Sequence, residues 1–444
     1  MMFQSRKTRA LTVLLLLSLL AFPGCLGKQD ADSSPGASST PGAIYLPGIS
    51  GGGAGSASTP LPTEDSGEAS QDGEDQGNGE DGPDGEDRPD GEGVSTPLPP
   101  PVPKPNYGVQ LHIPPGWEAE QTLERAQGLG VGWVKEQVQW HTIEHGPDDF
   151  EWEPLDRIVE GADQFGFKLL LGVTHAPDWT RTSEAESGPP ADFAEFRRFM
   201  EQLTGRYRGR VDAYELWNEP NLAREWRGDT LDPSRFVALV AEGAAGVRAG
   251  DPQALVISGG PAVTGIDDGE TAINDRVFLR GMIEAGVAQH VDAIGAHPYG
   301  YANPPDESVD DENHAASSHN DHPTFFFRDT LEDYRRIMTD YGLDGLQIWV
   351  TEFGWPSPEG IGEMDLTGWE YGREVSEQQQ ADYVVRAFHM GDERPWIGPM
   401  FLWNLNLAVI WGADSSFSAY SLLRPDGSYR PAYIALRLAE PLAP

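Results

Sequence analysis

The amino-acid sequence predicts a (β/α)8 TIM barrel over residues 106–444, that is, a closed ring of eight parallel strands, each followed by a helix. Apolar runs alternate with helical patterns about eight times between residue 106 and the C-terminus. The runs are short and nearly all apolar, which is typical of parallel strands buried on both faces. Noteworthy polar or aromatic residues follow six of these runs: His112, His175, Glu219, His297, Glu352 and Trp403. In a barrel they would share the carboxyl-end face of the strands.

Apolar periodicity and turn residues set the predicted elements. We predict strands at 107–113, 133–138, 168–173, 213–217, 254–258, 293–297, 347–351 and 400–405. We predict helices at 118–128, 154–165, 192–207, 233–249, 274–285, 330–341, 376–390 and 431–438. Asp192 with Glu195 three residues later predicts a capping box at the start of the third helix.

A doubly wound open sheet is the alternative architecture. Such a sheet binds nucleotides through a Gly-rich phosphate loop after its first strand. Here the run His112-Ile113-Pro114-Pro115 occupies that place. The barrel is therefore the favoured prediction.

Composition excludes some classes of partner. The chain has 71 acidic and 31 basic residues and a net charge of −40, which argues against nucleic acid and against an anionic membrane surface. The sole cysteine, Cys25, allows no intrachain disulfide, so the core must stabilise the fold.

The first 24 residues have the pattern of an export signal. Arg6, Lys7 and Arg9 precede an apolar run over 10–22, and Cys25 follows Gly24. The pattern resembles a bacterial lipoprotein signal, in which Cys25 becomes the lipidated first residue of a protein anchored at the cell surface. A simple secreted protein and an uncleaved anchor are the alternatives.

Residues 25–105 form a predicted linker. The segment is rich in Gly, Ser, Pro, Asp and Glu, and residues 64–92 contain 13 acidic residues and one basic residue, Arg88. Since the segment has almost nothing apolar to bury, we expect it to remain disordered and to act as a spacer.

Two glutamates stand out at strand ends. Glu219 lies in Trp217-Asn218-Glu219-Pro220, and Glu352 lies in Thr351-Glu352-Phe353-Gly354-Trp355. A carboxyl surrounded by aromatic rings is poorly solvated, so its pKa should rise. Two carboxyls that face each other are the groups required to cleave a glycosidic bond. A lone Asn-Glu-Pro is usually only a turn, but the two motifs together are more specific.

These motifs resemble the catalytic motifs of glycoside hydrolase clan A, a group of retaining (β/α)8 glycosidases. Further runs share the likeness: Phe150-Glu151-Trp152, His175-Ala176-Pro177-Asp178-Trp179, Ala296-His297-Pro298-Tyr299 and Phe401-Leu402-Trp403-Asn404. Within the clan the chain most resembles family 39 and its neighbours. The resemblance implies cleavage of β-glycosidic bonds in an extracellular poly- or oligosaccharide by double displacement.

By this resemblance Glu219 is the general acid/base and Glu352 the nucleophile. Glu352 should have hydrogen-bonding or cationic neighbours that favour its charged form, whereas apolar neighbours and repulsion from Glu352 should keep Glu219 neutral. Asn218 is expected to hold the 2-hydroxyl of the sugar, and Tyr299 to donate to Glu352.

Further predicted substrate-binding residues are His175, His297, Trp403, Trp179 and Lys135. The histidines would orient a carboxylate or hold a hydroxyl, and Trp403 would form the floor under the sugar, although each histidine could instead be structural. Trp179 could equally be core or rim. Lys135 stands where relatives often have Arg, so it keeps the charge but loses the bidentate fork.

No cofactor, metal or protein partner is predicted. His314, His319 and His322 lie in the loop after the sixth strand and are interpreted as a polar surface rather than a metal site. The alternative function is a non-catalytic glycan-binding lipoprotein that keeps the cleft of a barrel. A third interpretation is a structural surface protein in which the linker is the functional part.

Overall fold

The computed structural model describes residues 98–114, 119–182 and 187–442. Eight parallel strands close into a barrel: β1 (Lys104–Gln110), β2 (Val131–Gln139), β5 (Lys168–Thr174), β6 (Ala213–Leu216), β7 (Leu255–Ser258), β8 (Ala293–Ala296), β9 (Gln347–Phe353) and β10 (Ile397–Leu402). Two short strands, β3 (Glu144–Gly146) and β4 (Asp149–Phe150), form a separate antiparallel hairpin. The last strand pairs with the first, Tyr107 opposite Met400, which excludes the open sheet.

A helix follows every barrel strand. The helices are α1 (Ala119–Gln127), α2 (Trp140–Ile143), α3 (Glu153–Phe165), α4 (Phe193–Arg206), α5 (Pro233–Gly250), α6 (Asp275–Glu284), α7 (Phe327–Asp340), α8 (Glu377–Asp392), α9 (Leu407–Trp411) and α10 (Pro431–Leu438). The short α2 and α9 are additional turns on the carboxyl-end side of β2 and β10. The predicted (β/α)8 architecture is confirmed.

The core has two layers. Seven side chains fill the interior of the barrel below the cleft: Trp133, Leu170, Ala213, Ile257, Ala293, Trp349 and Phe401. A larger cluster lies between the strands and the helices. Gly108 is required where β1 meets β10, because a Cβ there would lie 2.5 Å from Cδ1 of Phe401. Because these seven side chains fill the interior, polar side chains that point into the barrel lie above them, in the cleft.

Two local predictions differ from the structure. The Asp192 side chain accepts from the backbone N–H of Ala194, but Glu195 bonds to Arg198 and completes no capping box. Strand β1 begins at Lys104, inside the predicted linker. Lys104 is 1% exposed, and its ammonium donates to the backbone oxygens of Val102, Leu129 and Arg437. Because the residues around Lys104 resemble the polar and Pro-rich linker, the sequence did not predict that a buried strand begins there.

Several predictions fall outside the described residues. They include the signal peptide over 1–24, Cys25, and the linker up to residue 97. Within the described ranges, every helix is too short or too polar to cross a membrane.

Candidate active site

Glu219 and Glu352 meet above the packed interior of the barrel. Glu352 lies on β9, one residue before its end. Glu219 follows β6 in a turn in which Trp217 and Glu219 both have positive φ, 76° and 42°. This strained turn directs the Glu219 carboxyl into the cleft. A carboxylate oxygen of each residue and a ring nitrogen of His297 all lie within 4.8 Å of one another.

Hydrogen bonds from strand β2 and from the loop after β8 hold the Glu352 carboxylate. The Tyr299 hydroxyl donates to Oε2 at 2.9 Å, and the Lys135 ammonium donates to Oε1 at 3.2 Å. Burial lowers the pKa of Lys135, but the charges of Glu215 and Glu352 outweigh it and raise the pKa overall, so the ammonium stays charged. Glu352 therefore has a cationic and a hydrogen-bonding neighbour, the two kinds of neighbour predicted for it.

The surroundings of Glu219 differ from the prediction. Arg224 Nη2 donates to its Oε2 at 2.9 Å, and His297 Nδ1 lies 3.4 Å from its Oε1. Burial raises the pKa of Glu219, but the hydrogen bond from His297 and the charge of Arg224 outweigh burial, and the pKa lies below its usual value. The expectation that apolar neighbours keep Glu219 neutral is wrong, because two cations reach it.

His297 lies among three carboxylates. Its ring nitrogens are 3.4 Å from Glu219, 3.6 Å from Glu215 and 3.9 Å from Glu352. Burial lowers the pKa of His297, but these carboxylates, Glu352 most strongly, raise it to about 9. The ring is therefore a cation at neutral pH. The ring lies where it can orient a carboxylate, which is one of the two roles predicted for it.

The same three groups have the geometry of a metal site. Among the described residues, the cluster of Glu219, His297 and Glu352 is the one that could place three ligand atoms around an ion. A metal takes the neutral form of imidazole. Protonation of His297 and the bonds from Lys135 and Arg224 to the carboxylates therefore compete with metal binding.

Glu215 is a member of the site that sequence reasoning missed. It is 1% exposed, pairs with the Lys135 ammonium at 2.8 Å and accepts from Thr351 Oγ1 at 2.7 Å. Burial raises the pKa of Glu215, but Lys135 and His297 lower it to about 2. A charged residue inside the otherwise apolar strand β6 was the available signal, since a buried charge requires a partner.

Comparison with known proteins gives the family. The family model described as Cellulase (glycosyl hydrolase family 5) matches residues 105–389, well over half of the chain. The chain belongs to this family. It is a clan A glycoside hydrolase, as its motifs predicted. No curated protein matches the sequence.

Solved structures of other glycoside hydrolases share the fold. A family 39 glycoside hydrolase from Bacteroides cellulosilyticus WH2 is 19% identical, with a TM-score of 0.55 over 76% of this chain and 64% of that chain. A monomeric β-xylosidase from Caulobacter crescentus CB15 is 18% identical, with a TM-score of 0.52 over 77% and 69%. A GH5_18 protein from Streptomyces cattleya is 13% identical, with a TM-score of 0.54 over 76% and 79%. This chain thus spans less than two thirds of the first of these proteins.

Aromatic side chains form one wall beside the carboxylates of this glycoside hydrolase. Trp403 is buried, and its ring contacts Tyr299 and Tyr420 edge to face, with centroids 6.2 and 5.1 Å apart. Its indole Nε1 has no hydrogen-bond partner among the described residues. Asn218 is buried directly before Glu219. Both positions suit the predicted sugar contacts, which stay predictions.

The structure does not bring His175 and Trp179 into contact with the two glutamates. The His175 ring packs 5.9 Å from that of His141, and burial lowers the pKa of His175 to about 4, so it is neutral. Its two nitrogens have no partner among the described residues, which leaves them available to a hydroxyl. Trp179 lies half-buried on the following turn, with Arg198 over its ring, and so belongs to the rim.

Proposed function

We propose that this protein is a retaining glycoside hydrolase that cleaves β-glycosidic bonds, with Glu219 as acid/base and Glu352 as nucleophile. One observation carries the proposal, the approach of the two carboxylates to within 4.8 Å. An inverting enzyme separates its carboxyls by about 6.5–9.5 Å to admit a water, whereas a retaining enzyme needs about 5–5.5 Å. The short separation therefore favours double displacement.

In the first step, a carboxylate oxygen of Glu352 attacks the anomeric carbon of the sugar. The bond from that carbon to the leaving oxygen breaks, and Glu219 gives its proton to this oxygen. A covalent glycosyl ester on Glu352 and a free alcohol result. Tyr299 and Lys135, one on each Glu352 oxygen, hold the carboxylate in place before attack.

In the second step, Glu219, now ionised, takes a proton from a water molecule. The water oxygen attacks the anomeric carbon, and Glu352 leaves as a carboxylate. Glu219 is again protonated at the end of the cycle. The positive charges of His297 and Arg224 favour the ionised form of Glu219 and therefore suit this step.

The substrate we propose is an extracellular poly- or oligosaccharide with β-linked units. The family model is described as a cellulase, and one structural neighbour is a β-xylosidase. The lipoprotein-like start of the chain supports action outside the cell. The paired glutamates argue against a purely glycan-binding protein, since binding a sugar requires neither an acid nor a nucleophile.

The stereochemistry of the first product tests the proposal. A panel of aryl β-glycosides first identifies a substrate, and proton NMR of a fresh digest then records which anomer forms first. We expect the β-anomer, because two inversions restore the configuration of the substrate. An α-anomer formed first would exclude Glu352 as nucleophile.

A further inference from the structure

Arg224 lies between two buried carboxyls. Its Nη2 donates to Glu219 Oε2 at 2.9 Å, and its Nε lies 3.5 Å from Glu225 Oε1. The Glu225 side chain is 1% exposed, whereas that of Arg224 is 21% exposed at the edge of the cleft. Among the residues that the structure describes, no other cation contacts both carboxyls. One cation is thus shared by two acids, and burial makes a second uncompensated charge costly.

Other charged and titratable groups face these two acids from the neighbouring strands. His297 approaches Glu219 from the end of β8, and Glu352 approaches it from β9. Tyr299 and Tyr301 are close enough for the charge of Glu219 to raise their pKa values, after burial itself. The Glu225 carboxyl lies 3.4 Å from Ser187 Oγ, and the charges of Arg224 and of the more distant Glu219 also act on it.

The shared cation creates a conflict for catalysis. A general acid must carry a proton when the leaving oxygen departs. Arg224 and His297 instead favour the ionised form of Glu219. A proton on Glu219 would also leave Arg224 without its closest anionic partner. The conflict is resolved if Glu225 ionises when Glu219 gains its proton.

We propose that Arg224 and Glu225 are positioning residues that set the protonation state of Glu219. They do so because the Arg224 guanidinium switches its ion pair between Glu219 and Glu225. In the free site Arg224 pairs with ionised Glu219, and Glu225 holds a proton. When Glu219 gains a proton, Glu225 releases one and Arg224 pairs with Glu225. The number of protons on the two acids and the net charge of the pair stay constant. The inference rests on the proposed role of Glu219 as acid/base.

Two features of the structure suit such an exchange. Burial raises the pKa of Glu225 to about 7, against the lowering effect of Arg224, so it can release a proton near neutrality. The Asn221 side chain accepts from Ala262 N and donates to the backbone oxygens of Ala262 and Ile273, which fixes the turn that bears all three groups. Only the Arg224 side chain then has to move.

The pH profile of kcat/KM tests the inference. The substrate is the phenyl β-glycoside that the wild type hydrolyses fastest, because its poor leaving group makes protonation by Glu219 essential. Loss of the proton from Glu219 sets the alkaline limb. Arg224→Gln should move this limb up by roughly 1–3 pH units, the effect of removing a neighbouring opposite charge. Glu225→Gln should move it down, because Arg224 then pairs with Glu219 alone.

Three variants serve as controls. Arg224→Lys keeps the cation and should leave the limb near that of the wild type. The double change of Arg224 and Glu225 to Gln should place the limb between those of the single variants. Arg248→Gln breaks a salt bridge to Asp292, which precedes β8 at the opposite end of the barrel, and should not move the limb.

The outcomes separate three conclusions. Alkaline limbs that stay in place while kcat falls by one factor at every pH would show a merely structural role and overturn the inference. Limbs that move as described support it. If Arg224→Gln does not fold, the alkaline limbs of two other single variants decide the question. The limb of the isosteric Glu225→Gln should move down, and that of Arg224→Lys should stay near that of the wild type. Absence of glycoside hydrolysis by the wild type would instead refute the proposed function.

Discussion

Three cations and three carboxylates lie close together in the cleft, and all of them are buried except the cation Arg224, which lies at its edge. The cations are Lys135, His297 and Arg224, and the carboxylates are Glu215, Glu219 and Glu352. Transfer of an isolated charge into a protein interior costs several kcal/mol, and a partner at hydrogen-bond distance offsets that cost. The six charged groups therefore stabilise one another in the folded protein, and the protonation state of each depends on the others.

At the residue scale, the first prediction separates the two catalytic glutamates. Glu219→Ala should impair phenyl β-glycosides most, because an activated aryl leaving group needs little protonation. Azide should restore turnover and give a β-glycosyl azide, since it needs no base. Glu352→Ala should lose activity on every substrate, because no covalent intermediate can form.

Kinetics on paired substrates and NMR of the azide products provide the measurement. A leaving-group dependence and a β-azide product from Glu352→Ala, rather than from Glu219→Ala, would mean that the two roles are reversed. A substrate-independent loss in both variants would leave Glu219 without a role in protonation and contradict the assignment.

The second residue-scale prediction concerns His297. Its pKa is raised from 6.5 to about 9 in the folded protein, so the folded state binds this proton more tightly than the unfolded state. The resulting stabilisation is fully present below pH 6.5 and disappears as the pH rises through 9. The difference in Tm between the wild type and His297→Asn should therefore shrink from pH 6 to pH 10.

Calorimetric melting at several pH values measures that difference. His145→Gln, a change at an exposed histidine, is the control. A gap that stays constant or widens with rising pH would show that His297 is not protonated in the folded protein.

At the scale of elements, the start of β1 has a measurable consequence. Removal of residues 26–97 should leave Tm and activity essentially unchanged, because their composition offers almost nothing apolar to bury. Removal of 26–105 should lower Tm, since it deletes the Lys104 ammonium and its three carbonyl contacts. Differential scanning calorimetry of both truncated proteins compares them. Equal Tm values would show that Lys104 contributes nothing to stability.

Most elements could be predicted because their signals are local. The predicted 154–165 helix is observed as α3, with Leu155, Ile158, Val159 and Ala162 buried at the expected spacing. The last strand begins at Ile397 rather than at 400, and β1 begins at Lys104 rather than at 107. Both strands also end three residues earlier than predicted, at Leu402 rather than 405 and at Gln110 rather than 113, because pairing with a neighbouring strand rather than local composition sets the limits.

At the scale of the whole molecule, the last prediction concerns the anchor. The start of the chain predicts that a bacterium would attach lipid to Cys25 and hold the enzyme at its surface. The full-length protein should partition with membranes and incorporate a labelled fatty acid. Cys25→Ala should abolish both, and Cys25→Ser provides a matched second variant. Labelling that persists in these variants would refute the lipoprotein proposal.

The sequence by itself determined the barrel and the two glutamates. Strand and helix periods are local, and the motifs around Glu219 and Glu352 place each carboxyl at the end of a strand, where a parallel barrel gathers side chains. The partners of Glu352 were also predicted in kind, and the structure supplies them as Lys135 and Tyr299.

Only the tertiary structure decided the charge of the site. Glu219 was expected to be neutral, yet Arg224 and His297 approach it, and Glu215 forms an ion pair with Lys135 from a strand far away in sequence. Electrostatic interactions depend on separations of a few ångströms and on exclusion of water. Closure of the barrel sets those separations between residues remote in the chain, so local sequence patterns cannot contain them.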